Sequence, residues 1–193
     1  MPKYFRFATP AAIFALGLAS ASMAQDAATP AEAPVAPPTL ETAELGQVYL
    51  AEKSDPWELR CTKIETGQGP CQIFQLLRDD AGGEVAEFNM FEIPDGNEAA
   101  AGAVVVVPLE TMLEPGLILQ IDDNAPRGYP FSFCNSYGCI ARPGFTEEEL
   151  GWMKAGSQAV LTITPAMAPD TKVALTLSLK GFTAMVEKTK QGQ

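Results

Sequence analysis

The chain has 193 residues, with 13 Lys and Arg against 24 Asp and Glu, a formal charge of −11, and no histidine. With no Lys/Arg-rich block, that charge argues against nucleic acid and anionic lipid surfaces, since binding either needs a positive patch. The missing histidine removes Ser-His-Asp and Cys-His catalysis and His-ligated metals, leaving Ser-Lys dyads, paired carboxylates and cysteine chemistry.

Lys3 and Arg6 precede an apolar run from Ala11 to Leu18, and Ser22-Met23-Ala24 then offers small residues where a signal peptidase reads. This is the pattern of a secretory signal peptide over residues 1–24, cleaved after Ala24. The run is too short for a bilayer, which takes about 20 residues, so no transmembrane span is expected after cleavage. Residues 25–44, "QDAATPAEAPVAPPTLETAE", hold too little apolar surface to order themselves and read as a disordered Ala/Pro-rich linker. Residues 45–193 then form a single β-rich domain, and loss of Lys3 and Arg6 takes the mature charge from −11 to −13.

Short strands with turns between them fill that domain. "WELRC" sets Trp57, Leu59 and Cys61 on one face and Glu58 and Arg60 on the other. "GQGP" reads as a turn, and "CQIFQLL" as a strand with Cys71, Ile73 and Gln75 opposite Phe74 and Leu76. "DDAGG" closes a hairpin, and "EVAEFNMFEI" aligns Ala86, Phe88 and Met90. The apolar "AVVVV" at 103–107 suggests a central strand covered on both faces. Leu117, Leu119 and Ile121 share a face, as do Tyr129, Phe131 and Phe133, which read as core rather than as a binding stripe. "SQAVLTIT" and "KVALTLSL" complete the strands. Only "TEEELGWMKAG" reads as helix, with Thr146 and Glu149 as a capping box. The fold class expected is all-β: an antiparallel β-sandwich or small barrel with one short helix, stapled by disulfides. The alternative is an α+β domain in which "AAAGAVVVV" starts helical.

Four cysteines in an exported chain point to disulfides. Facing strands of the first hairpin would bring Cys61 to Cys71, and Cys134 to Cys139 would close the loop "CNSYGC". A redox pair is expected as C-x-x-C at a helix N-terminus, whereas this loop follows a strand with four intervening residues. A zinc site from C-x9-C and C-x4-C has the wrong first spacing. Structural staples are therefore expected at Cys61, Cys71, Cys134 and Cys139, with no metal, cofactor or catalytic residue. Asp122 and Asp123 in "IDDN" read as a solvated turn rather than calcium ligands or half of a glycosidase pair. Lys154 and Ser157 flank a glycine turn and form no S-x-x-K motif. Tyr137, at the tip of the stapled loop, is the candidate binding residue, its bland alternative being a lid folded over the disulfide. The acidic faces of the early strands are the next candidate surface.

The segments "DPWELRC", "CQIFQ", "EPGLILQID", "YPFSFCNSYGC", "MKAGSQAVLTI" and "LTLSLKGFTAM" follow in this order. Together they resemble the invasion-associated locus B family of exported bacterial proteins, over roughly Leu45 to Lys188. The likeness rests on the joint spacing of Trp57, Cys61, Cys71, Asp122, Cys134, Gly138, Cys139, Gly156, Gly181 and Phe182. It implies an association with host-cell invasion in pathogenic members, occurrence in free-living relatives, and no enzymatic activity. The resulting expectation is a non-enzymatic binding protein of the periplasm or envelope, or a secreted one, whose partner is an unknown protein or envelope component. The alternatives are a carboxylate-dependent hydrolase and a redox sensor using Cys134 and Cys139.

Overall fold

A computed structural model describes residues 36–94 and 97–190; the expected signal peptide and residues 25–35 of the expected linker lie outside the described residues. The chain order is β1 (Val48–Ser54), β2 (Trp57–Ile64), β3 (Gly67–Arg78), β4 (Glu84–Glu92), β5 (Ala101–Val107), β6 (Leu117–Ile121), β7 (Arg127–Tyr129), β8 (Phe131–Asn135), β9 (Gly138–Ala141), β10 (Gly144–Phe145), α1 (Glu147–Ala155), β11 (Gln158–Ile163), β12 (Val173–Ser178) and α2 (Phe182–Thr189). The larger sheet runs β1-β2-β3-β4-β5-β9-β8, with β10 also on β5, and the smaller runs β12-β11-β6-β7. All pairings are antiparallel, and the two sheets make an open sandwich rather than a closed barrel.

The period-2 pattern builds the core directly. Trp57, Leu59 and Cys61 of β2, Ile73 and Leu77 of β3, and Ala86, Phe88 and Met90 of β4 are buried on one face of the larger sheet. Facing them, Leu119, Ile121, Leu161, Leu175 and Leu177 of the smaller sheet join the same cluster. The Trp57 ring is the hub: it meets Phe88 edge-on at 6.3 Å and Phe182 at 5.6 Å between centroids. Gln75, the polar residue on this inward face, is satisfied by β12. Its amide donates to the Ser178 carbonyl at 3.0 Å and accepts from the Ser178 N–H at 2.9 Å, as a neighbouring strand would.

The structure corrects the sequence reading in four places. The described residues form two helices, not one: Phe182, Met185, Val186 and Thr189 lie at i, i+3, i+4 and i+7 and bury one stripe of α2. Gly181 starts that helix at φ 76° with no side-chain cap, so the usual start signal is missing. "GQGP" belongs to β3, and the turn is Glu65-Thr66. "AVVVV" is strand throughout, but Val104 and Val106 are only half-buried, so β5 is fully covered on one face only. The Tyr129-Phe131-Phe133 stripe is cut at Pro130: Tyr129 belongs to the smaller sheet, and Phe133 of the larger is exposed. Residues before 45 also make contacts with the strands. The Leu50 N–H bonds the Pro38 carbonyl at 2.9 Å, Lys63 Nζ bonds the Ala43 carbonyl at 2.8 Å, and the Ala43 side chain is buried.

Helix α1 has the capping box read from the sequence. Thr146 Oγ1 accepts from the Glu149 N–H, and Glu149 Oε2 accepts from the Thr146 N–H. The Glu149 carboxylate is buried and also paired with Arg127. Burial pushes its pKa up, but the Thr146 hydrogen bonds and Arg127 outweigh that and leave it below its ordinary 4.5.

Two outcomes are expected. Limited proteolysis should stop N-terminal to Pro38, and a chain beginning at Leu45 should be less stable by about 1–2 kcal/mol, the worth of its lost hydrogen bonds and buried Ala43. Mass spectrometry of the protected fragment and chemical denaturation check both. Glu149→Gln should destabilise the domain at neutral pH by about 1–3 kcal/mol. Because the folded pKa is depressed, this contribution is present above 4.5 and lost as pH falls through the folded value. Wild-type and variant denaturation curves should therefore converge in acid.

Candidate binding surface

One face of the larger sheet is packed against α2 and the smaller sheet; among the described residues, no second layer covers the other, open face. Register fixes what lies side by side on it. One row crosses Lys53, Glu58, Phe74, Asn89 and Val104, and the next crosses Leu76, Glu87, Val106, Ile140 and Phe133. The first row is polar at the β1–β2 side, and the second is apolar apart from Glu87. Phe91 lies over Gly102 of β5, where a Cβ would sit 3.0 Å from its ring.

Glu58 is held between two cations. Lys53 Nζ donates to Oε1 at 3.1 Å, and Arg60 Nε and Nη2 donate to Oε2 at 3.0 and 2.8 Å. Arg60 stacks its guanidinium 3.3 Å from the Phe74 ring centroid, which covers that aromatic although it faces outward. Burial raises the Glu58 pKa, but the hydrogen bonds and charges of Arg60 and Lys53 more than offset this, and the net shift is downward. A carboxylate held ionised in this way suits charge pairing and not general-acid chemistry.

Three shallow hollows interrupt this face. The largest, about 690 Å³, lies between the β1–β2 and β3–β4 turns over Phe74 and Leu76, and also reaches Thr176 of β12 in the smaller sheet. A second, about 350 Å³, shares Leu76, Glu84 and Glu87 with it and ends at Pro108 and Tyr137. A third, about 420 Å³, lies over Val48, Thr62, Pro70 and Phe91. In the largest, all three cations are paired: Lys53 and Arg60 with Glu58, and Arg78 with Glu84 at 2.6 Å. Asp79 accepts from the Ala81 and Gly83 N–H groups and so shapes the β3–β4 turn. Asp55, Asp80 and Glu87 make no ion pair among the described residues.

The β8–β9 hairpin borders the open face. Asn135 Oδ1 accepts from the Tyr137 N–H at 2.9 Å and the Gly138 N–H at 3.3 Å. Gly138 packs so closely on β5 that a Cβ there would clash with the Val107 carbonyl. Tyr137 projects from the tip, 88% exposed, and is no lid over the disulfide. Cys61 is bridged to Cys71 and Cys134 to Cys139, each across a hairpin with Cα atoms 4.0 Å apart. Cys139 is buried, whereas Cys134 is exposed.

The remaining residues singled out from the sequence fall elsewhere. Asp122 takes φ 42° in its turn, and its carboxylate accepts from the Ser157 and Gln158 N–H groups, joining β6 to the start of β11. It is therefore occupied structurally, and Asp123 beside it is exposed. The Lys154 carbonyl accepts from Thr183 Oγ1 and so ties α1 to α2. No group of three or more Cys, Asp or Glu among the described residues is placed to hold a metal ion. The Glu58–Arg60–Phe74 cluster was not picked out from the sequence. Alternation puts each of the three on the outward face, but only the β2–β3 register makes Phe74 the cross-strand partner of Glu58.

Comparison with known proteins gives a consistent placement. The chain is 34% identical over 112 residues to the invasion protein B homologs of Brucella abortus strain 2308 and of biovar 1 strain 9-941. Each alignment covers 58% of this chain and 55% of the relative, so the chain spans about half the length of the curated relatives it matches. The crystal structure of invasion associated protein B from Bartonella henselae superimposes with a TM-score of 0.60 at 22% identity, covering 72% of this chain and 95% of that one. That likeness shows the fold. Residues 57–190, more than half of the chain, match the model of the invasion associated locus B (IalB) protein family, and the chain belongs to that family.

Proposed function

We propose that this chain is an exported, non-enzymatic binding protein of the bacterial envelope that holds its partner on the open face of the larger sheet. The observation that carries this reading is the asymmetry of the sandwich. Its core is filled from one side, and the opposite face keeps three hollows and a protruding, exposed aromatic. Export is supported by the residues of 1–24 and by two disulfides, which persist in oxidising compartments. Among the described residues no helix is long and apolar enough to cross a membrane. The periplasm, with or without attachment to the envelope, is the compartment this reading assigns. The names of the relatives attach those proteins to invasion; for this chain, contact with a host cell is one form that such binding takes.

A carboxylate-dependent hydrolase is the weaker reading. Glu58 is shifted away from general-acid behaviour, and Asp122 is committed to backbone N–H groups. A redox sensor at Cys134 and Cys139 has the exposure of Cys134 in its favour, but the bridge joins two paired strands and opens no helix that would stabilise a thiolate.

Tyr137→Ala should separate binding from folding. The ring is exposed, so the melting temperature should move by no more than about 2 °C. Capture of the partner from envelope fractions by the immobilised, oxidised protein should weaken about tenfold, as for a small interface losing a rigid aromatic contact. Unchanged capture by a folded variant would place the binding surface away from this hairpin.

A further inference from the structure

Hollows on the open face are not independent. The two that share Leu76, Glu84 and Glu87 join into one trough, crossing β2, β3, β4 and β5 and ending at the tip of the β8–β9 hairpin. Four interstrand steps of about 4.8 Å make it about 19 Å long, the span of about six residues of extended chain. Charged side chains line most of its first half, around Phe74 and Leu76, and Val85, Val106 and Pro108 make its far half more apolar.

We propose that this trough takes an extended, basic segment of a partner protein, one carrying Lys or Arg between aliphatic residues. The inference rests on the binding reading above and names the chemistry of the partner. Charge complementarity carries it. Every cation lining the trough is neutralised inside the protein, by Glu58 or by Glu84. Asp55 and Asp80 near one end and Glu87 midway are left exposed and without an ion pair among the described residues. An anionic ligand would find no free cation there. A second copy would bring the same unpaired carboxylates face to face, on chains that each carry −11. A basic side chain instead lays its aliphatic stem along Leu76 and Val106 and sets its charge against Glu87. Tyr137 stands at the end of the trough, where its ring closes over the stem of the last residue. Arg60, fixed by Glu58 and Phe74, keeps the floor in shape before any partner arrives, which lowers the ordering cost of binding.

The test uses the oxidised, mature chain and two synthetic peptides of about eight residues, one alternating Lys with Val and the other Glu with Val. Amide shift mapping and fluorescence anisotropy at low salt read the outcome. The lysine peptide should bind, with shifts centred on Leu76, Val106 and Tyr137, and the affinity should fall as salt is added. A double variant, Asp80→Asn with Glu87→Gln, should weaken binding about fivefold, as two lost surface charge pairs would. Asp123→Asn, on the turn after β6, should leave it unchanged. Both substituted side chains of the double variant are exposed; Glu87→Lys, checked for folding by thermal melting, should abolish binding. Equal binding of the glutamate peptide, shifts centred elsewhere, or full affinity in the double variant would overturn the proposal. If the lysine peptide does not bind while Tyr137→Ala still weakens capture from envelope fractions, the basic partner is wrong and the binding face stands. If both fail, the face itself is wrong.

Discussion

Trp57 fixes which face of the larger sheet is inside. Its ring lies between Phe88 of β4 and Phe182 of α2, so strand, sheet and helix meet on one fully buried side chain. The smaller sheet extends the same cover, and the Gln75–Ser178 amide pair ties its β12 edge to β3. Both covering elements lie on that side. The open face must therefore be compatible with water while its backbone remains a continuous ladder. It achieves this by charge neutralisation: Glu58 draws in Lys53 from β1 and Arg60 from its own strand, and Arg60 roofs the outward Phe74 of β3. The surface cluster that organises the candidate site thus follows from the inward commitment of Trp57, since Glu58 and Arg60 alternate with it along β2.

The disulfides act on this face as well as on the ensemble of unfolded chains. Each closes a short loop and contributes about 2–3 kcal/mol on a chain-entropy account. Their positions matter more than that sum. Cys61–Cys71 locks the β2–β3 register, and that register alone places Phe74 beside Glu58. Cys134–Cys139 locks the hairpin that carries Tyr137, which Gly138 seats against Val107. Both ends of the open face are thereby held in one geometry without a covering layer to hold them.

Much of this fold is legible in the residues. Strict alternation in "WELRC" and "KVALTLSL" reports inward faces because each strand buries one side only. Helix α2 was missed for a local reason: its start has a left-handed glycine in place of a capping side chain, although Phe182, Met185 and Val186 carry the helical spacing. The corner at Pro130 was missed because the alternation of aromatics continues through it, while the missing N–H and the change of sheet break the ladder. The sequence pattern overstated the cover of β5 because valines tolerate a half-exposed pleat when a neighbour such as Ile140, paired with Val106, shields them laterally. The trough was beyond reach for a different reason. Its lining comes from turns and strands as far apart as Asp55 and Tyr137, and only four pairings in the correct register bring them onto one surface.

An open sheet face of this kind differs physically from an enzyme cleft. Catalytic carboxylates work in pairs whose environments drive their pKa values apart, one held up by burial and one held down. On this face the carboxylate with the most contacts, Glu58, is driven down by two cations, and the unpaired ones, Asp55, Asp80 and Glu87, are exposed. Such a surface stabilises opposite charge on a partner more readily than it transfers protons. The trough is also shallow, so much of any bound segment stays in contact with water and the rim charges remain screened by salt. On the binding reading proposed above, affinity would come from rigid apolar contact along Leu76, Val106 and Tyr137, with Glu87 and its neighbours selecting the sign of the partner's charge.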